Sequence, residues 1–492
     1  MKTIRTLLIL SIFIAGFAQQ TYAKKLQTYV SYSTFSSPSD GPYLETYLAF
    51  SGRSIYFVKN EKNKFLSNIE ITMIFSQNNI VKAFDKYIVN IPEQEDTLNI
   101  KNFIDQHRFA LPNGSYLFEI QINDKNSVNK SISGKDSITI NFPTDKIMVS
   151  GIQPIETYTP TVKPSTYTKS GYDLAPMVIN FYPKTINKLA YYTEIYNTDK
   201  LLGKDEKFIT KCYVESYESK IELPEYEIIK RETTKPVQVI LQEIAIDKLP
   251  SGNYNLVVEV RDKDNQMVSI NKMFFQRSNP GLTIKPEDLE NLILSNSFAE
   301  KIKNRDTLIE YIRYLYPISS EIEKSFAQNL VKQNDVSTNM LQKYFLKFWM
   351  DRNNTNPELA WNNYLFEVTK VNNSYSTGYQ KGYLSDRGRV YLQYGPPNSI
   401  KGENFDQASF PYEIWHYYRI GNQSNKKFVF CSHDEAANNY ELINSDVNGE
   451  VSDLGWMNKI KKGDYKDVLN YEKQPQEDGI YGGKLIENFK NY

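Results

Sequence analysis

The residues with the most distinctive chemistry lie near the C-terminal end of the chain. Asp386, Arg387 and Arg389 stand together, with Gly382 before them and Gly388 among them. Such a charged clasp can bind a ligand or partner, or it can pin a turn of the protein itself, because the planar arginine fork takes a carboxylate in two hydrogen bonds. We favour the internal role. The candidate members of the clasp are Asp386, Arg387, Arg389, Tyr391 and Trp415.

A second group of residues has the chemistry of catalysis or metal binding. Cys431 and His433 would point the same way on a continuing strand, and His416 lies on a neighbouring predicted strand. A thiol beside a base, or a mixed Cys–His metal site, uses these residue types. However, the chain has three histidines with no pair at ligand spacing, and it lacks a glycine-flanked nucleophile. We therefore predict no catalytic residue, no metal and no cofactor, with His416 packed in a core.

The two cysteines leave two alternatives open. In an oxidising compartment Cys212 and Cys431 could form a disulfide that ties the middle of the chain to its end. Otherwise both are buried thiols, which is the alternative we favour.

Alternation of apolar and polar residues predicts the strand that positions the clasp. Val390, Leu392 and Tyr394 would share one face of a strand over Val390–Tyr394, which Gly395 and Pro396 terminate. The same alternation predicts three more strands, over Tyr412–Tyr418, Lys427–Cys431 and Tyr440–Ile443.

Helical spacing fills the region between residues 280 and 378. Ser320 and Glu323 have the form of a capping box, and Asn356-Pro357 can cap and begin another helix. With the strands above, this predicts an α+β domain over residues 279–460, helical over 284–375 and with a sheet over 382–445. A polar tail over 461–492 is predicted to be mobile or loosely docked.

The first half of the chain contains an internal repeat. Leu111–Lys125 returns at a constant offset as Leu249–Lys263, with a Leu-Pro-x-Gly-x-Tyr turn that begins an alternating strand. Such a unit is typical of an immunoglobulin-like sandwich with a corner tyrosine. We predict a mixed fold, in which two tandem β-sandwiches, over 24–145 and 146–278, precede the α+β domain. The proline-rich stretch 155–172 is predicted to be a linker outside the sheets.

Charge and hydropathy limit the class of protein and its compartment. The chain has 58 basic and 58 acidic residues and no basic stripe, so we predict no nucleic-acid partner. Lys2 and Arg5 precede an apolar run over Leu7–Phe17, which predicts a cleavable signal peptide over residues 1–23. That run is too short to span a bilayer, and no longer one follows. We expect export to the periplasm, the outer membrane or the cell surface, without a transmembrane helix.

The C-terminal third resembles the GWxTD-domain family of exported Gram-negative proteins. The motif positions of the resemblance are Gly382, Tyr383, Ser385, Asp386, Gly388, Gly395 and Pro396. The match continues into Tyr412–Trp415, and Phe348–Trp349 provides part of an upstream feature. Tyr383 replaces the tryptophan and Ser385 the threonine that name the family. The resemblance implies a domain often preceded by β-sandwiches and transfers no catalytic residue.

These observations predict a non-catalytic binding or assembly protein of the cell envelope that contacts a protein partner there. Two alternatives remain open. One is an envelope hydrolase that acts on a glycan or peptide, using Asp386, His416 and His433. The other is an accessory component of a secretion system.

Overall fold

The computed structural model describes residues 26–462, except 98–99, 128–130, 282–283, 285–286, 334, 405–408, 422, 435–438 and 454. The predicted signal peptide and residues 463–492 of the predicted tail lie outside the described residues. Within the described part, no helix has the length and apolar character needed to cross a membrane.

The first eight strands form a β-sandwich. One sheet has the order β1-β2-β6, and the other contains β3, β4, β5, β7 and β8. Alternate residues of β4, such as Ile69, Ile71 and Met73, are fully buried because they face the opposing sheet. The strands are β1 Thr28–Ser37, β2 Gly41–Phe50, β3 Val58–Lys59, β4 Phe65–Gln77, β5 Ile80–Gln94, β6 Phe103–Ala110, β7 Gly114–Asp124 and β8 Ile132–Ile140.

A second sandwich follows directly. One sheet runs β11-β12-β10-β14-β17, with β9 also paired to β14, and the other runs β13-β19-β18-β15-β16. A short helix, α1 Thr198–Leu202, follows β14. The strands are β9 Met148–Val149, β10 Gln153–Pro160, β11 Thr168–Lys169, β12 Tyr172–Pro176, β13 Phe181–Tyr182, β14 Lys188–Tyr196, β15 Lys207–Ser216, β16 Glu222–Thr233, β17 Val237–Ala245, β18 Gly252–Arg261 and β19 Met267–Arg277.

The sequence repeat corresponds to the same structural unit in each sandwich. Its two copies include β7 and β18, and each strand begins at the glycine of the Pro-x-Gly turn. The hydroxyl of Tyr116 donates to the carbonyl oxygen of Pro112 at 2.7 Å, and that of Tyr254 donates to Pro250 at 3.1 Å. Each tyrosine therefore ties its strand to the preceding turn, as the repeat predicts.

The prediction of a linker outside the sheets over 155–172 is wrong. Within this stretch, β10 pairs antiparallel with β12, and β11 pairs with the start of β12. Pro160 is the last residue of β10, and Pro164 lies between the strands, so the residues that lack an N–H group do not interrupt the ladder.

A buried carboxylate joins the two sandwiches. Glu45 of β2 is 0% exposed and accepts hydrogen bonds from Tyr47 at 2.6 Å, Gln106 at 2.8 Å and Arg108 at 2.5 Å. The fourth donor is the ammonium group of Lys169, which belongs to the second sandwich. Burial alone would raise the pKa of Glu45, but the two cations outweigh it and hold that pKa below its ordinary value.

The C-terminal domain places helices first and a four-stranded sheet after them. The sheet has the order β20-β21-β22-β23. The predicted capping box of Ser320 and Glu323 is present at α4, and Asn356 caps α6 as predicted. The elements are α2 Glu287–Glu290, α3 Arg305–Tyr314, α4 Glu321–Lys332, α5 Thr338–Arg352, α6 Pro357–Tyr375, α7 Asp386–Tyr394, β20 Ser399–Glu403, β21 Tyr412–Ile420, β22 Gln423–Cys431, β23 Glu441–Ser445 and α8 Trp456–Ile460.

The strand predicted over Val390–Tyr394 is wrong, because these residues end the nine-residue helix α7. The helix lies between two layers. Val390 packs in the core formed with the sheet, whereas Leu392 packs against the other helices. In a helix, residues two positions apart lie on different faces, and here both faces are buried. The sequence pattern of buried residues is therefore the same as that of a strand with one buried face. The sheet predicted over 382–445 therefore begins only at β20.

Candidate functional site

The two motif glycines allow a very close crossing of elements. A Cβ atom on Gly388 would overlap the carbonyl oxygen of Gly382, and one on Gly382 would overlap the carbonyl oxygen of Val371. The turn before α7, and α7 itself, can therefore press against α6 only while both positions lack a side chain. The glycines of the motif position a helix, not a flexible loop.

Ser385 and Asp386 begin that helix. The Ser385 hydroxyl accepts from the backbone N–H of Gly388 at 3.0 Å and donates to the carbonyl oxygen of Gly382 at 2.7 Å. Asp386 occupies the first turn, where a negative charge is favourable, and it accepts from the backbone N–H of Leu442 at 2.7 Å. The cap thus also fixes α7 to strand β23.

Arg387 forms the first charged pair of the clasp. Its guanidinium donates to Glu413 at 2.8 Å, and the indole N–H of Trp415 donates to the other oxygen of the same carboxylate at 2.9 Å. The guanidinium also lies 4.1 Å from the ring centre of Tyr440. The pair is largely shielded, with side-chain exposures of 6% for Arg387 and 19% for Glu413. It therefore connects α7 to β21.

Arg389 forms the second pair, with Glu450. Its two terminal nitrogens donate to the two carboxylate oxygens, each at 2.8 Å, and Tyr394 donates to the same carboxylate at 2.8 Å. Burial opposes the charge of Arg389, but the bonds to Glu450 raise the pKa of Arg389 above its ordinary value. This two-bond geometry is the strongest form of an arginine–carboxylate contact.

Glu450 follows a loop, residues 446–449, that contacts the second sandwich. Gly449 has a φ of 87°, and a Cβ there would lie 3.3 Å from the ring of Phe274 on β19. Close by, the amide of Gln423 on β22 donates to the hydroxyl of Tyr217 at 3.2 Å. The Arg389 pair therefore supports the contact between the C-terminal domain and the second sandwich.

The same hairpin of β21 and β22 also reaches the first sandwich. Asn425 donates to the hydroxyl of Ser137 at 3.1 Å, and the ammonium of Lys426 lies 3.6 Å from Asp136. Asp136 in turn accepts from the hydroxyl of Tyr32 at 2.9 Å. One hairpin of the C-terminal domain thus bonds to both sandwiches.

The remaining motif residues also have partners within the domain. Tyr383 is buried and meets Tyr314 edge-on, with ring centres 4.7 Å apart. The hydroxyl of Tyr391 donates to Glu367 of α6 at 3.1 Å. Gly395, with a φ of 83°, ends α7 immediately before Pro396, and its carbonyl oxygen accepts from Tyr417 at 2.8 Å. These contacts hold α7 between its two neighbouring layers.

The three residues considered for hydrolysis bond to different parts of the domain. His416 lies 2.7 Å from the side-chain oxygen of Asn425, and burial lowers the pKa of His416. His433 lies 3.1 Å from the carbonyl oxygen of Lys459, whereas Asp386 binds β23. The structure does not join them into one acid–base group through hydrogen bonds.

Of the two alternatives for the cysteines, the structure shows the favoured one: Cys212 and Cys431 are free and buried, and no disulfide joins them. Cys212 lies in the core of the second sandwich, and Cys431 lies between the C-terminal sheet and α8. Burial raises the pKa of Cys212 to about 11 and that of Cys431 to about 12, so neither thiol is activated for nucleophilic attack. Among the described residues, no group of three or more His, Cys, Asp or Glu side chains could hold a metal ion.

Several residues at the centre of this arrangement were not predicted. Glu413 and Glu450 are the carboxylate partners of the two arginines, and the hydroxyl of Tyr217 accepts the hydrogen bond from Gln423 of the hairpin. Glu413 lies inside the strand predicted over Tyr412–Tyr418, on the face opposite to Tyr412 and Ile414, so the alternation could have indicated it. Glu450 and Tyr217 gave none, because they are far from the motif in sequence and meet it only after folding.

Comparison with known families identifies the C-terminal part of the chain. The model of the GWxTD domain matches residues 283–462. No curated protein matches the chain.

Among solved structures, red sea bream transglutaminase is similar at 10% identity with a TM-score of 0.17, over 52% of this chain and 31% of that one. A glycosyl hydrolase family 2 member from Bacteroides cellulosilyticus is similar at 9% identity with a TM-score of 0.18, over 48% and 26%. Fibronectin(III)-like modules of Clostridium thermocellum CbhA are similar at 10% identity with a TM-score of 0.14, over 49% and 89%.

The chain therefore spans a third or less of the first two structures, and none of the three likenesses carries an argument about activity. The family match and the geometry of the motif together identify the C-terminal part. Residues 283–462 of this chain are a GWxTD domain, preceded by two immunoglobulin-like β-sandwiches.

Proposed function

We propose that this protein is an exported, non-catalytic binding or assembly protein of the cell envelope. In this proposal, the sandwiches and the GWxTD domain act as one unit that presents its surface to a protein partner. The observation that carries the proposal is the use of the charged motif residues. Arg387, Arg389 and Asp386 bond to Glu413, Glu450 and the backbone of Leu442, so their polar groups hold the elements of the GWxTD domain together.

The contacts of the hairpin formed by β21 and β22 support the same proposal. It bonds to Ser137 in the first sandwich and to Tyr217 in the second, which favours the assembly of the three domains into one unit. Such a unit suits a binding protein, because a surface that is already assembled loses less conformational freedom when the partner binds.

Export is part of the proposal and rests on the sequence of residues 1–23. Cell fractionation combined with N-terminal sequencing of the mature chain tests it. We expect an envelope fraction in which the chain begins after the apolar run of Leu7–Phe17. A cytosolic chain that retains Met1 would contradict export.

Crosslinking in intact envelopes, followed by mass spectrometry, tests the binding function. The identified partner is then purified, and its affinity for the full chain is measured. We expect binding to the wild type and to the double variant His416→Ala, His433→Ala, but weaker binding to Arg389→Ala, because that change disturbs the joint. Arg419→Ala is the matched control, since this exposed arginine lies in the same domain and its Nε bonds only to the nearby carbonyl of Gly421 among the contacts described.

Two outcomes would contradict the proposal. One is turnover of a glycan or peptide by the wild type that is lost in the histidine variant while the fold is unchanged, which would establish the hydrolase alternative. The other is the absence of any partner that binds the purified chain. Recovery of secretion-machinery subunits as the partner would identify the accessory role instead.

A further inference from the structure

A carboxylate with an incomplete set of partners lies at the contact between the second sandwich and the GWxTD domain. Glu218 belongs to the turn that follows β15. One of its oxygens accepts from the side chain of Asn253 at 2.8 Å. The other oxygen is buried and has no hydrogen-bond partner among the described residues. An ionised carboxylate in this state would lack part of the solvation that water gives it.

The charged groups around Glu218 come from both sides of the contact. Glu321, the first residue of α4, brings a like charge from the GWxTD domain, whereas Lys220 in the same turn brings an opposite one. Tyr217 and Tyr254 are the other titratable neighbours; burial raises the pKa of both, and the charge of Glu218 adds to this effect. Burial raises the pKa of Glu218 to about 7, and the repulsion from Glu321 adds to this effect.

The Lys220 ammonium does not neutralise Glu218 through a direct bond. It is bonded to the carbonyl oxygen of Tyr217 and lies 4.3 Å from the ring centre of that residue. The charge of Lys220 therefore lowers the pKa of Glu218 only from a distance, and burial outweighs it.

We propose that the contact between the second sandwich and the GWxTD domain is a pH-sensitive joint, which is tight when Glu218 is protonated and loosens when its carboxyl group ionises. On loosening, the carboxyl group releases one proton to the solvent, and water hydrates the carboxylate. The joint between the two sandwiches lacks this response, because Glu45 has four donors, two of them cationic.

The direction follows from the two pKa values. The closed joint holds the pKa of Glu218 at about 7, whereas the ordinary value is 4.5. The closed state therefore binds the proton more tightly, so its extra stability is complete below the ordinary value and is lost as the pH rises through about 7. Above that pH, a shift of this size increases the equilibrium constant for opening on the order of a hundredfold.

Hydrogen exchange of the full chain measures this opening. The amides to follow are those of residues 217–220 and of the loop 446–449 that contacts the sandwich. Glu218→Gln keeps the shape of the side chain and removes the proton equilibrium. At each pH we divide the exchange rate of an amide in the wild type by the rate of the same amide in the variant, which cancels the intrinsic pH dependence of hydrogen exchange. We expect this ratio of rates to rise on the order of tenfold or more between about pH 5 and about pH 8.

Glu156→Gln is the matched control, because this glutamate is exposed on the second sandwich and away from the contact. An unchanged ratio across the pH range would overturn the proposal, and so would an equal effect of Glu156→Gln. If Glu218→Gln does not fold, Glu321→Gln replaces it: removal of the opposing charge should reduce the pH dependence, and no reduction would also overturn the proposal. The measurement needs no partner, so its failure leaves the proposed function untouched.

Discussion

Two of the joints between domains each contain a glutamate with a buried carboxylate oxygen, and the partners of the two carboxylates differ. At the joint between the sandwiches, Glu45 is fully buried and receives four hydrogen bonds, including those from Arg108 and Lys169. At the joint with the GWxTD domain, Glu218 accepts only from neutral N–H groups, the side chain of Asn253 and its own backbone, and Glu321 brings a like charge. The pKa of Glu45 is therefore lowered, whereas that of Glu218 is raised.

This difference shows that burial alone does not decide whether a carboxylate holds two domains together. A buried charge with complete partners stays ionised and connects its surroundings at every physiological pH. A buried carboxyl group that lacks hydrogen-bond donors for one oxygen is stable in such a contact only when it is protonated, so the stability of the contact depends on pH. The first joint is thus expected to be permanent and the second adjustable.

The largest expected effect comes from breaking the permanent joint. Lys169→Met removes one cation and leaves Glu45 buried with an incomplete set of partners. We expect the free energy of unfolding to fall by about 3–5 kcal/mol, the usual cost of an uncompensated buried charge. Chemical denaturation measures it, with Lys163→Met, an exposed lysine of the same segment, as control. A loss below about 1 kcal/mol would mean that Lys169 does not hold this joint.

The next largest effect is expected at the close packing of α7 against α6 in the GWxTD domain. Gly388→Ala places a methyl group against the carbonyl of Gly382, so α7 must move away from α6. We expect a loss of about 3 kcal/mol in unfolding free energy, as for an overpacked core. Gly378→Ala is a direct control, because a Cβ there meets no atom within 4 Å. Equal stability of the two variants would refute the close crossing as the reason for this glycine.

Arg389→Ala tests whether the motif supports the adjustable joint alone. The change leaves Glu450, 7% exposed, without its two charge-assisted bonds. We expect a loss of about 2 kcal/mol and faster hydrogen exchange in residues 446–449, with no change in exchange around Glu45. Arg419→Ala should have neither effect. Faster exchange at both joints would show that the joints are coupled instead of separate.

The smallest expected effect is at His416. Its contribution to stability is lost as the pH falls, whereas that of Glu218 is lost as the pH rises. Burial lowers the pKa of His416, so the folded state binds its proton less tightly than the unfolded state. The stability from its neutral form is present above the ordinary value and is lost as the pH falls below it. His416→Gln should therefore reduce the loss of thermal stability in mild acid. Identical melting curves for variant and wild type across this range would contradict it.

Features that depend on neighbouring residues were predicted correctly. The corner tyrosines Tyr116 and Tyr254 were visible because each bonds to a proline only four residues earlier. The capping box of Ser320 and the cap at Asn356 are likewise complete within one turn. The strand predicted over Val390–Tyr394 was wrong because α7 packs against two different cores. Its apolar residues therefore follow the positions of those cores and do not show the 3.6-residue spacing of a helix with one buried face.

The order of the domains, the positions of the turns and caps, and the family of the C-terminal domain could be predicted from the amino-acid sequence, because each of these depends on short-range chemistry. The role of the motif and the contacts between the domains depend on long-range packing and are visible only in the folded chain. Glu450, Tyr217 and Glu218 are unremarkable in sequence, and the cysteines are compatible with a bridge. Folding places Cys212 and Cys431 in separate cores and leaves Glu218 short of one partner. Long-range packing sets the environment of a side chain, and that environment decides whether a carboxyl group stays ionised or changes its protonation state near neutral pH.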